Sequence, residues 1–379
     1  MQARRILILC DGLLKGGLAR VVLDWANGLT VCGHTVGLAL MSPRIDYDLP
    51  GLVWLRVFDH EIPNGGIARW RHRNMQARFL RDSIAAFETG IGNAHLVIAA
   101  GESALRCASD IAHPNLWFSS HSSQLQAPKG SGITAALRFR LKIAKRGARV
   151  RRLLNGKNIH LVSEGLAREL TGTLGVQPAR MEVIHNPFDF GTLRKRAAQQ
   201  TPQSVAQVRE FVVGVGEFNV RKAFDRLITA FSRSKFSGDL VLIGQGPEQG
   251  NLSRQAALLG IPDRVKFVPF HDNHYALVAR AKLLVMTSRS EGLGNVLIEA
   301  LILGVPALAV DCPHGPRDIL LPICTDALLP PDRIGELPER IDRFVECPYV
   351  IEQTALDRFD NDYVIRRLLA LADPAIGND

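Results

Sequence analysis

An apolar run, a glycine-containing loop and an amphipathic segment follow one another in the C-terminal half of the sequence. Residues 283–286 have the composition of a buried parallel strand, and the loop at 288–294 contains two glycines. Apolar residues then recur through 296–301 at the spacing of a helix that packs on a sheet, and Gly304 is a typical helix stop. This order of elements presents backbone N–H groups and a positive dipole end, which suits a phosphate group.

Two carboxylates belong to the same stretch, Glu291 in the loop and Glu299 in the helix. Like charges repel, so neither is suited to contact a phosphate. Each could instead accept hydrogen bonds from sugar hydroxyls beside a diphosphate, at roughly 1–3 kcal/mol per charged hydrogen bond. The alternative interpretation is a solvated glutamate in a turn and an ordinary surface glutamate on a helix.

The alternation of apolar strands and amphipathic helices continues along the whole chain. It predicts an α/β fold with two Rossmann-like, doubly wound domains that face each other across a cleft, and such a cleft is where an active site is expected. Strands are predicted at 6–10, 36–39, 53–58, 96–100, 116–118, 159–162 and 183–187, and then at 211–215, 240–243, 265–268, 283–286 and 307–310.

A polar, Gln-rich stretch at 191–209 is interpreted as a linker. The predicted N-terminal domain is therefore residues 1–190 and the C-terminal domain residues 191–354. Apolar residues within 355–379 predict a final helix that returns to the first domain.

The opening βαβ unit places Gly16 and Gly17 at the carboxyl end of the first strand, where open α/β sheets bind ligands. The loop is not GxGxxG, and no acidic residue ends the second strand, where the ribose of a dinucleotide requires one. A nicotinamide-dependent dehydrogenase is therefore disfavoured.

The net charge of +9 is uneven, because residues 1–190 carry 24 Lys and Arg against 14 Asp and Glu. One basic patch, Arg138–Arg152, is interleaved with apolar residues, as in helices that lie on anionic lipid. A solvated helix face is the competing interpretation. Nucleic acid is not predicted as a partner, since no aromatic interleaving or binding module accompanies the charge.

The six cysteines show no metal-ligand spacing and are typical of a reducing compartment. The first apolar run ends at Asp11 and predicts a strand rather than a signal peptide. No stretch is long and apolar enough to span a membrane. The expected location is the cytoplasm, with peripheral contact at the inner face of the membrane.

A metal site is not predicted. The Asp46-Tyr47-Asp48 triplet has the spacing that hard cations accept, but Asp360-Asn361-Asp362 repeats it, so the pattern is common by chance. No G-x-S-x-G nucleophile elbow is present.

Several motifs in one order resemble the retaining glycosyltransferases of the GT-B type, in the large GT4 family that carries an E-x7-E motif. The resemblance implies the GT-B fold, with an acceptor-binding N-terminal domain and a nucleotide-sugar-binding C-terminal domain. Residues 312–320 are similar to a segment of bacterial members that build lipopolysaccharide cores and polysaccharide repeat units. The matching segments are 213–231, 240–248, 265–270 and 288–301, and more weakly Gly16-Gly17, 162–165 and 184–187.

Arg221 and Lys222 occupy the position of two basic residues that bind the donor diphosphate in this family. Two cations there would offset the charge of the leaving diphosphate and do the work of a metal ion. Gly216 belongs to the same donor-binding region. It is followed by Glu217, whereas many family members have arginine, so fewer cationic donors are implied.

The resemblance also implies the contacts of the donor. Glu299 resembles the glutamate that binds the ribose hydroxyls, and Glu291 the one that binds hydroxyls of the transferred sugar. Val268 would meet the nucleobase through its main chain. The backbone of four consecutive residues would contact the phosphates and the sugar: Gly292, Leu293, Gly294 and Asn295.

In the first domain, Gly16 and Gly17 resemble the loop that closes over the diphosphate and leaves room for the acceptor. His121 resembles a histidine near the transferred sugar; the alternative is a structural hydrogen-bonding histidine in a Ser-rich turn.

The resulting prediction is a retaining, metal-independent glycosyltransferase without a cofactor, with Glu291, Lys222, Arg221 and His121 as catalytic residues. The donor is a nucleotide-sugar, and UDP is implied by similar bacterial enzymes. The acceptor is a hydroxyl of a glycan or glycolipid such as a lipopolysaccharide core or a lipid-linked oligosaccharide. Two alternatives are a GT-B nucleotide-sugar epimerase, with Asp11 or Glu102 as its acid/base group, and a non-catalytic nucleotide-sugar-binding subunit of a glycan assembly complex.

Overall fold

The chain forms two compact units. The first comprises Met1–Pro187 and Asn361–Asp379, and the second Phe188–Asp360. The boundaries expected from the sequence, after 190 and after 354, lie three and six residues from those of the units. The computed structural model describes residues 2–14, 16–49, 51–52, 54–60, 66–123, 125, 133–199, 210–271 and 273–373.

The first unit is built on a seven-stranded parallel sheet with the order β3-β2-β1-β4-β5-β6-β7. The order reverses between β1 and β4, as in doubly wound folds. The central strands are buried along their length, apart from Arg5 at the start of β1, since helices cover both faces. The strands are Arg5–Cys10 (β1), Thr35–Leu40 (β2), Trp54–Val57 (β3), Leu96–Ala100 (β4), Leu116–Ser120 (β5), Asn158–Leu161 (β6) and Arg180–Val183 (β7).

The helices between these strands include one at 66–91 that the sequence interpretation did not anticipate. The last of them continues without a break into a π-helical turn at Glu169–Thr173. The helices are Gly17–Val31 (α1), Gly66–Ile91 (α2), Glu102–Ala108 (α3), Ile133–Leu154 (α4) and Glu164–Arg168 (α5).

The second unit repeats the plan with a six-stranded parallel sheet of order β10-β9-β8-β11-β12-β13. Its order reverses between β8 and β11, so the crevice beyond the carboxyl ends of these two strands is the expected ligand position. The strands are Phe211–Val215 (β8), Asp239–Ile243 (β9), Val265–Val268 (β10), Leu283–Met286 (β11), Ala307–Val310 (β12) and Leu328–Leu329 (β13).

The second unit begins with a helix that overlaps the predicted polar linker, so the linker prediction is wrong for 191–197; residues 200–209 lie outside the described part. Asp189 caps this helix, because its Oδ1 accepts a hydrogen bond from the backbone N–H of Thr192 at 2.8 Å. The helices of the unit are Phe190–Ala197 (α6), Phe224–Arg233 (α7), Gln249–Leu258 (α8), Tyr275–Val278 (α9), Asn295–Ile302 (α10), Pro316–Leu320 (α11) and Leu337–Glu346 (α12).

The chain returns to the first unit as helix Asn361–Ala370 (α13), which packs on α1. The approach is close because Gly28 of α1 has no side chain. A Cβ atom there would lie 2.8 Å from Cγ1 of Ile365. Among the described residues, no helix has the length and apolar character needed to cross a bilayer.

Candidate active site

A charged cluster lies beyond the carboxyl ends of β8 and β11. The carboxylate of Glu291 is 7% exposed, and its Oε1 is 2.7 Å from Nζ of Lys222. Its Oε2 is 3.0 Å from Nη1 of Arg221, and Oγ of Ser288 donates a hydrogen bond to Oε1 at 2.5 Å. The structure therefore brings together three residues predicted to be catalytic.

Two cations around one carboxylate leave the cluster with a net positive charge. Burial opposes ionisation of Glu291, but the charges of Lys222 and Arg221 and the hydrogen bonds from Lys222 and Ser288 hold its pKa below the usual range. Glu291 is thus a carboxylate at neutral pH. Lys222 is largely buried, at 13% exposed, whereas Arg221 is 46% exposed and can reach a ligand.

A tight turn before α7 positions Lys222. Its backbone N–H donates to Oδ1 of Asn219 at 3.0 Å, and the next residue, Ala223, adopts the left-handed conformation with φ of 52°. Few residues other than glycine do so. Oγ1 of Thr287, directly after β11, donates to the carbonyl of Ala223 at 2.9 Å, which joins the turn to the strand that precedes Glu291.

Glycines allow the loops after β8 and β9 to pack beside Lys222. A Cβ at Gly216 would lie 3.0 Å from Cε of Lys222, and a Cβ at Gly244 would lie 1.9 Å from the carbonyl oxygen of Gly216. The backbone N–H of Gly244 donates to the carbonyl of Val268 at 2.9 Å. The main chain at Val268 therefore lies beside the glycine loops.

The loop Gly292–Gly294 opens α10. Leu293 is buried. Gly294 precedes the helix with φ of 98° and no side-chain cap, so the positive end of the helix dipole at Asn295 faces the loop. Gly315, which sequence reasoning missed, supports this loop. Its φ is 90°, and a Cβ there would lie 1.9 Å from the carbonyl oxygen of Leu293; the His-Gly-Pro turn is the signal that marks it.

Glu299 meets a histidine that the sequence interpretation also missed. Nε2 of His274 is 3.3 Å from Oε2 of Glu299. The ring of His274 is 5% exposed and packs on Phe270 at a centroid distance of 4.9 Å. Its Nδ1 is buried without a hydrogen-bond partner among the described residues. The two residues are 25 positions apart, so no local pattern pairs them.

Gly16 and Gly17 lie in the first unit, where α1 begins. Both are exposed, and the N–H of Gly16 donates to Oη of Tyr47 at 3.3 Å. A Cβ at Gly17 would meet nothing within 4 Å, and one at Gly16 only the carbonyl oxygen of Leu14 at 3.8 Å. No contact in the described part of the unit requires glycine at these two positions.

His121 follows β5 and belongs to a separate polar cluster. Its Nε2 is 2.8 Å from Oγ of Ser119, and the same Oγ is 2.7 Å from Nδ1 of His160. Burial, with a smaller contribution from His160, lowers the pKa of His121 to about 3. His121 is therefore neutral at physiological pH.

The two carboxylates considered for an epimerase have structural contacts. Asp11 caps α3, accepting hydrogen bonds from the N–H groups of Ala104 at 2.6 Å and Ser103 at 3.1 Å. Glu102 forms an exposed ion pair with Arg106 at 2.9 Å. Neither contact favours acid/base chemistry.

Across the described ranges, no group of three or more His, Cys, Asp or Glu side chains is arranged to hold a metal ion. Metal independence nevertheless stays a prediction.

Two family profiles match the chain. The profile described as Glycosyltransferase Family 4 matches residues 15–191, and the one described as Glycosyl transferases group 1 matches residues 196–359. The two matches meet near the point where the chain passes from the first unit to the second.

Curated relatives match over part of the chain. The N-acetylgalactosamine-N,N'-diacetylbacillosaminyl-diphospho-undecaprenol 4-alpha-N-acetylgalactosaminyltransferase of Campylobacter jejuni is 26% identical over 157 residues, 41% of this chain. The lipopolysaccharide core biosynthesis glycosyltransferase LpsE of Rhizobium meliloti is 31% identical over 186 residues, 48% of this chain. These matches span 42% and 53% of the relatives' own lengths.

Among solved structures, HepE of Anabaena in complex with UDP and glucose matches with a TM-score of 0.69 and 19% identity. The match covers 96% of this chain and 98% of that one. At this identity the likeness concerns the fold.

Proposed function

Because the chain belongs to the family 4 and group 1 glycosyltransferases and has their GT-B fold, we propose that it transfers a sugar from a nucleoside-diphosphate donor to a hydroxyl of a glycan or glycolipid. The observation that carries the proposal is the cluster of Glu291, Lys222 and Arg221 at the switch point of the second sheet. A net positive cluster beside a glycine loop suits a leaving diphosphate.

The residues of the cluster have separate roles in this reaction. The bond between the anomeric carbon and the β-phosphate oxygen breaks, and negative charge builds up on that oxygen. Lys222, Arg221 and the N–H groups at the start of α10 stabilise the charge. Glu291 holds Lys222 in place through the 2.7 Å contact and accepts hydrogen bonds from hydroxyls of the transferred sugar, while Glu299 does so for the ribose.

We further propose that the sugar is transferred with retention and without a metal ion. The acceptor oxygen attacks the face that the leaving group departs from, and its proton passes to the departing phosphate oxygen. This step needs no side-chain nucleophile. Positioning and electrostatic stabilisation then supply most of the rate enhancement.

The activities of the relatives support the choice of substrates. The Campylobacter enzyme is named for an undecaprenol-linked acceptor, and the Rhizobium protein for the lipopolysaccharide core. HepE is described with UDP and glucose. We therefore propose a UDP-sugar donor and a lipid-linked or lipopolysaccharide acceptor.

A membrane-bound acceptor gives the basic helix α4 a role as a peripheral contact with anionic lipid. Leu141 on this helix is 63% exposed. The charge of Arg106 on α3 is the main cause that lowers the pKa of Arg149, followed by burial and Arg146, so arginines of two helices crowd one surface. Exposed cations line α4 at Arg138, Arg140, Lys142, Lys145, Arg149 and Arg152.

The test measures release of nucleoside diphosphate from a panel of donors in EDTA: UDP-glucose, UDP-galactose, UDP-N-acetylhexosamines, GDP-mannose and ADP-heptose. Slow hydrolysis of one donor that Lys222→Ala abolishes would identify the base and sugar and support metal independence. Turnover that returns only with added Mg²⁺ or Mn²⁺ would contradict metal independence. Failure of every donor to bind would contradict the proposed function.

A further inference from the structure

A chain of hydrogen bonds in the first unit connects the side chains of Ser119, His121 and His160, at the carboxyl ends of β5 and β6, to a main-chain carbonyl just after β7. Nε2 of His160 is 2.9 Å from the carbonyl oxygen of Ile184. Nδ1 of His160 is 2.7 Å from Oγ of Ser119, which is 2.8 Å from Nε2 of His121. Ser119 and His160 are fully buried, so both must satisfy their hydrogen bonds within the protein.

The direction of each bond follows from the carbonyl at its end. A carbonyl oxygen only accepts, so Nε2 of His160 carries a proton. Burial lowers the pKa of His160 to about 4, so the ring is neutral and its Nδ1 is an acceptor. Ser119 must therefore donate its one hydroxyl proton to His160. Its Oγ is left to accept, and Nε2 of His121 must donate to it.

The remaining nitrogen of His121 is then fixed as well. The ring is neutral at physiological pH, and its one proton is on Nε2, so Nδ1 carries a free lone pair. No contact to Nδ1 occurs within the residues the structure describes, and His121 is half-buried. The buried indole of Trp25 packs on the imidazoles of His121 and His160, at centroid distances of 5.3 Å and 5.5 Å.

We propose that Ser119 and His160 are positioning residues that hold His121 in the Nε2–H tautomer, so that its Nδ1 accepts a hydrogen bond from a sugar hydroxyl. The inference rests on the proposed function for the identity of the ligand. Such a histidine orients a hydroxyl group and is too weak a base to remove its proton at neutral pH. Two titratable groups affect the pKa values of these rings through their charge. His160 lowers the pKa of His121, and His185 lowers the pKa of His160.

The first test is spectroscopic and independent of turnover. The full chain is labelled with ¹⁵N-histidine, and the signal of His121 is identified by its loss in His121→Asn. We expect the shift pattern of a protonated Nε2 and a bare Nδ1 throughout pH 5.5–8. A protonated Nδ1, or titration of His121 near the usual histidine pKa of about 6.5, would overturn the proposal.

The second test breaks the chain of hydrogen bonds by substitution of Ser119 and His160, and checks that each variant still folds. Ser119→Ala and His160→Phe should turn His121 into a mixture of tautomers and lower kcat/KM about 10-fold. Ser119→Thr and His160→Gln keep a donor and an acceptor at each position and should restore the pattern. Ser120→Ala is the matched control, since Ser120 lies one residue away and its Oγ donates a hydrogen bond to the carbonyl of Ser122 at 3.5 Å, outside the chain formed by Ser119, His121 and His160. Thermal unfolding monitors each variant.

The outcomes separate the two proposals. If the His121 spectrum is unchanged in Ser119→Ala, the positioning role is wrong whatever the enzyme transfers. If the tautomer of His121 is as expected and changes in Ser119→Ala, but no donor is turned over, the positioning role of Ser119 is confirmed and the proposed function is wrong.

Discussion

Among single residues, Lys222 is the one whose loss should affect catalysis most. Lys222→Met removes a largely buried cation from the Glu291 cluster, and the developing charge on the diphosphate loses its stabilisation. Turnover should fall about 10²-fold or more, measured as nucleoside diphosphate release. The matched control is Lys282→Met, which breaks an ion pair with Glu210 at 2.6 Å on an exposed surface. Equal rates for the two variants would refute the assignment.

Glu291 should also make stability depend on pH. Its folded-state pKa lies below the ordinary value of 4.5, so the stabilisation is fully present above about pH 4.5 and is lost as the pH falls through the folded-state pKa. The difference in unfolding free energy between wild type and Glu291→Gln should be constant at pH 6–8 and shrink below pH 4.5. Urea unfolding at pH 7 and pH 4 measures it.

The control for this pH effect is Glu336→Gln, which removes an exposed carboxylate 2.5 Å from Arg333. Exposed pairs contribute little, so this variant should remain close to wild type at both pH values. A Glu291→Gln difference that is the same at pH 4 and pH 7 would show that the cluster does not lower the carboxyl pKa.

At the site, sequence patterns predicted the residues that adjoin one another along the chain. The glycine loop and Glu291 were predicted from the order of strand, loop and helix, and the basic pair from the resemblance to the GT4 family. His274 and the partners of His121 were missed because their contacts join distant parts of the chain. The pairing of Lys222 with Glu291 was also not foreseen, since it depends on the left-handed turn at Ala223.

At the scale of elements, the loop that opens α10 depends on the turn before α11. Gly315→Ala would place a Cβ 1.9 Å from the carbonyl oxygen of Leu293, so the glycine loop must move and donor KM should rise about 10-fold. Gly260→Ala is the control. Its φ of 73° imposes similar backbone strain, but a Cβ there meets nothing within 4 Å. If the two variants have the same KM, the loop does not bind the donor.

Helix α4 provides a test of membrane contact. The double variant Arg149→Glu with Arg152→Glu should weaken binding to vesicles of anionic phospholipid, measured by co-sedimentation at low salt, by about 30-fold or more, because each basic residue near the surface contributes roughly 1 kcal/mol. Arg366→Glu on α13 reverses one charge on another exposed surface of the first unit and should bind like wild type, whereas Arg149→Glu alone should already bind more weakly. Retained binding by the double variant would favour a solvated helix face.

Elements with continuous apolar runs were predicted well, and polar or marginal ones were not. Strands β1, β4 and β8 are buried along their length, which gives a strong sequence signal. Helix α6 buries only Leu193 and is secured by tertiary contacts such as Nε of Arg194 donating to the carbonyl of Ile302 at 3.2 Å. Strand β7 was predicted at 183–187 and lies at Arg180–Val183. None of its residues is buried, so it has no apolar run to mark it.

At the scale of the whole molecule, the same strand order occurs in both units, yet only the second is continuous in sequence. The first is completed by α13, whose partner α1 lies more than 300 residues earlier. Nε1 of Trp117 donates to the carbonyl of Leu371 at 3.1 Å, and Arg4 donates to that of Leu369 at 2.6 Å. The first unit therefore cannot complete its core until the second has been synthesised.

The contribution of α13 to the stability of the first unit can be measured by placing a charge on its buried face. Ile365 is 1% exposed, and Ile365→Glu places a carboxylate against α1, which should lower the stability of the first unit by about 4 kcal/mol. Arg366→Glu, one residue later on the exposed face, should change it little. Calorimetry should show a lower unfolding temperature only for Ile365→Glu, while hydrogen exchange in β8 and β11 stays as in wild type. Equal loss of protection in both sheets would show that the units unfold as one.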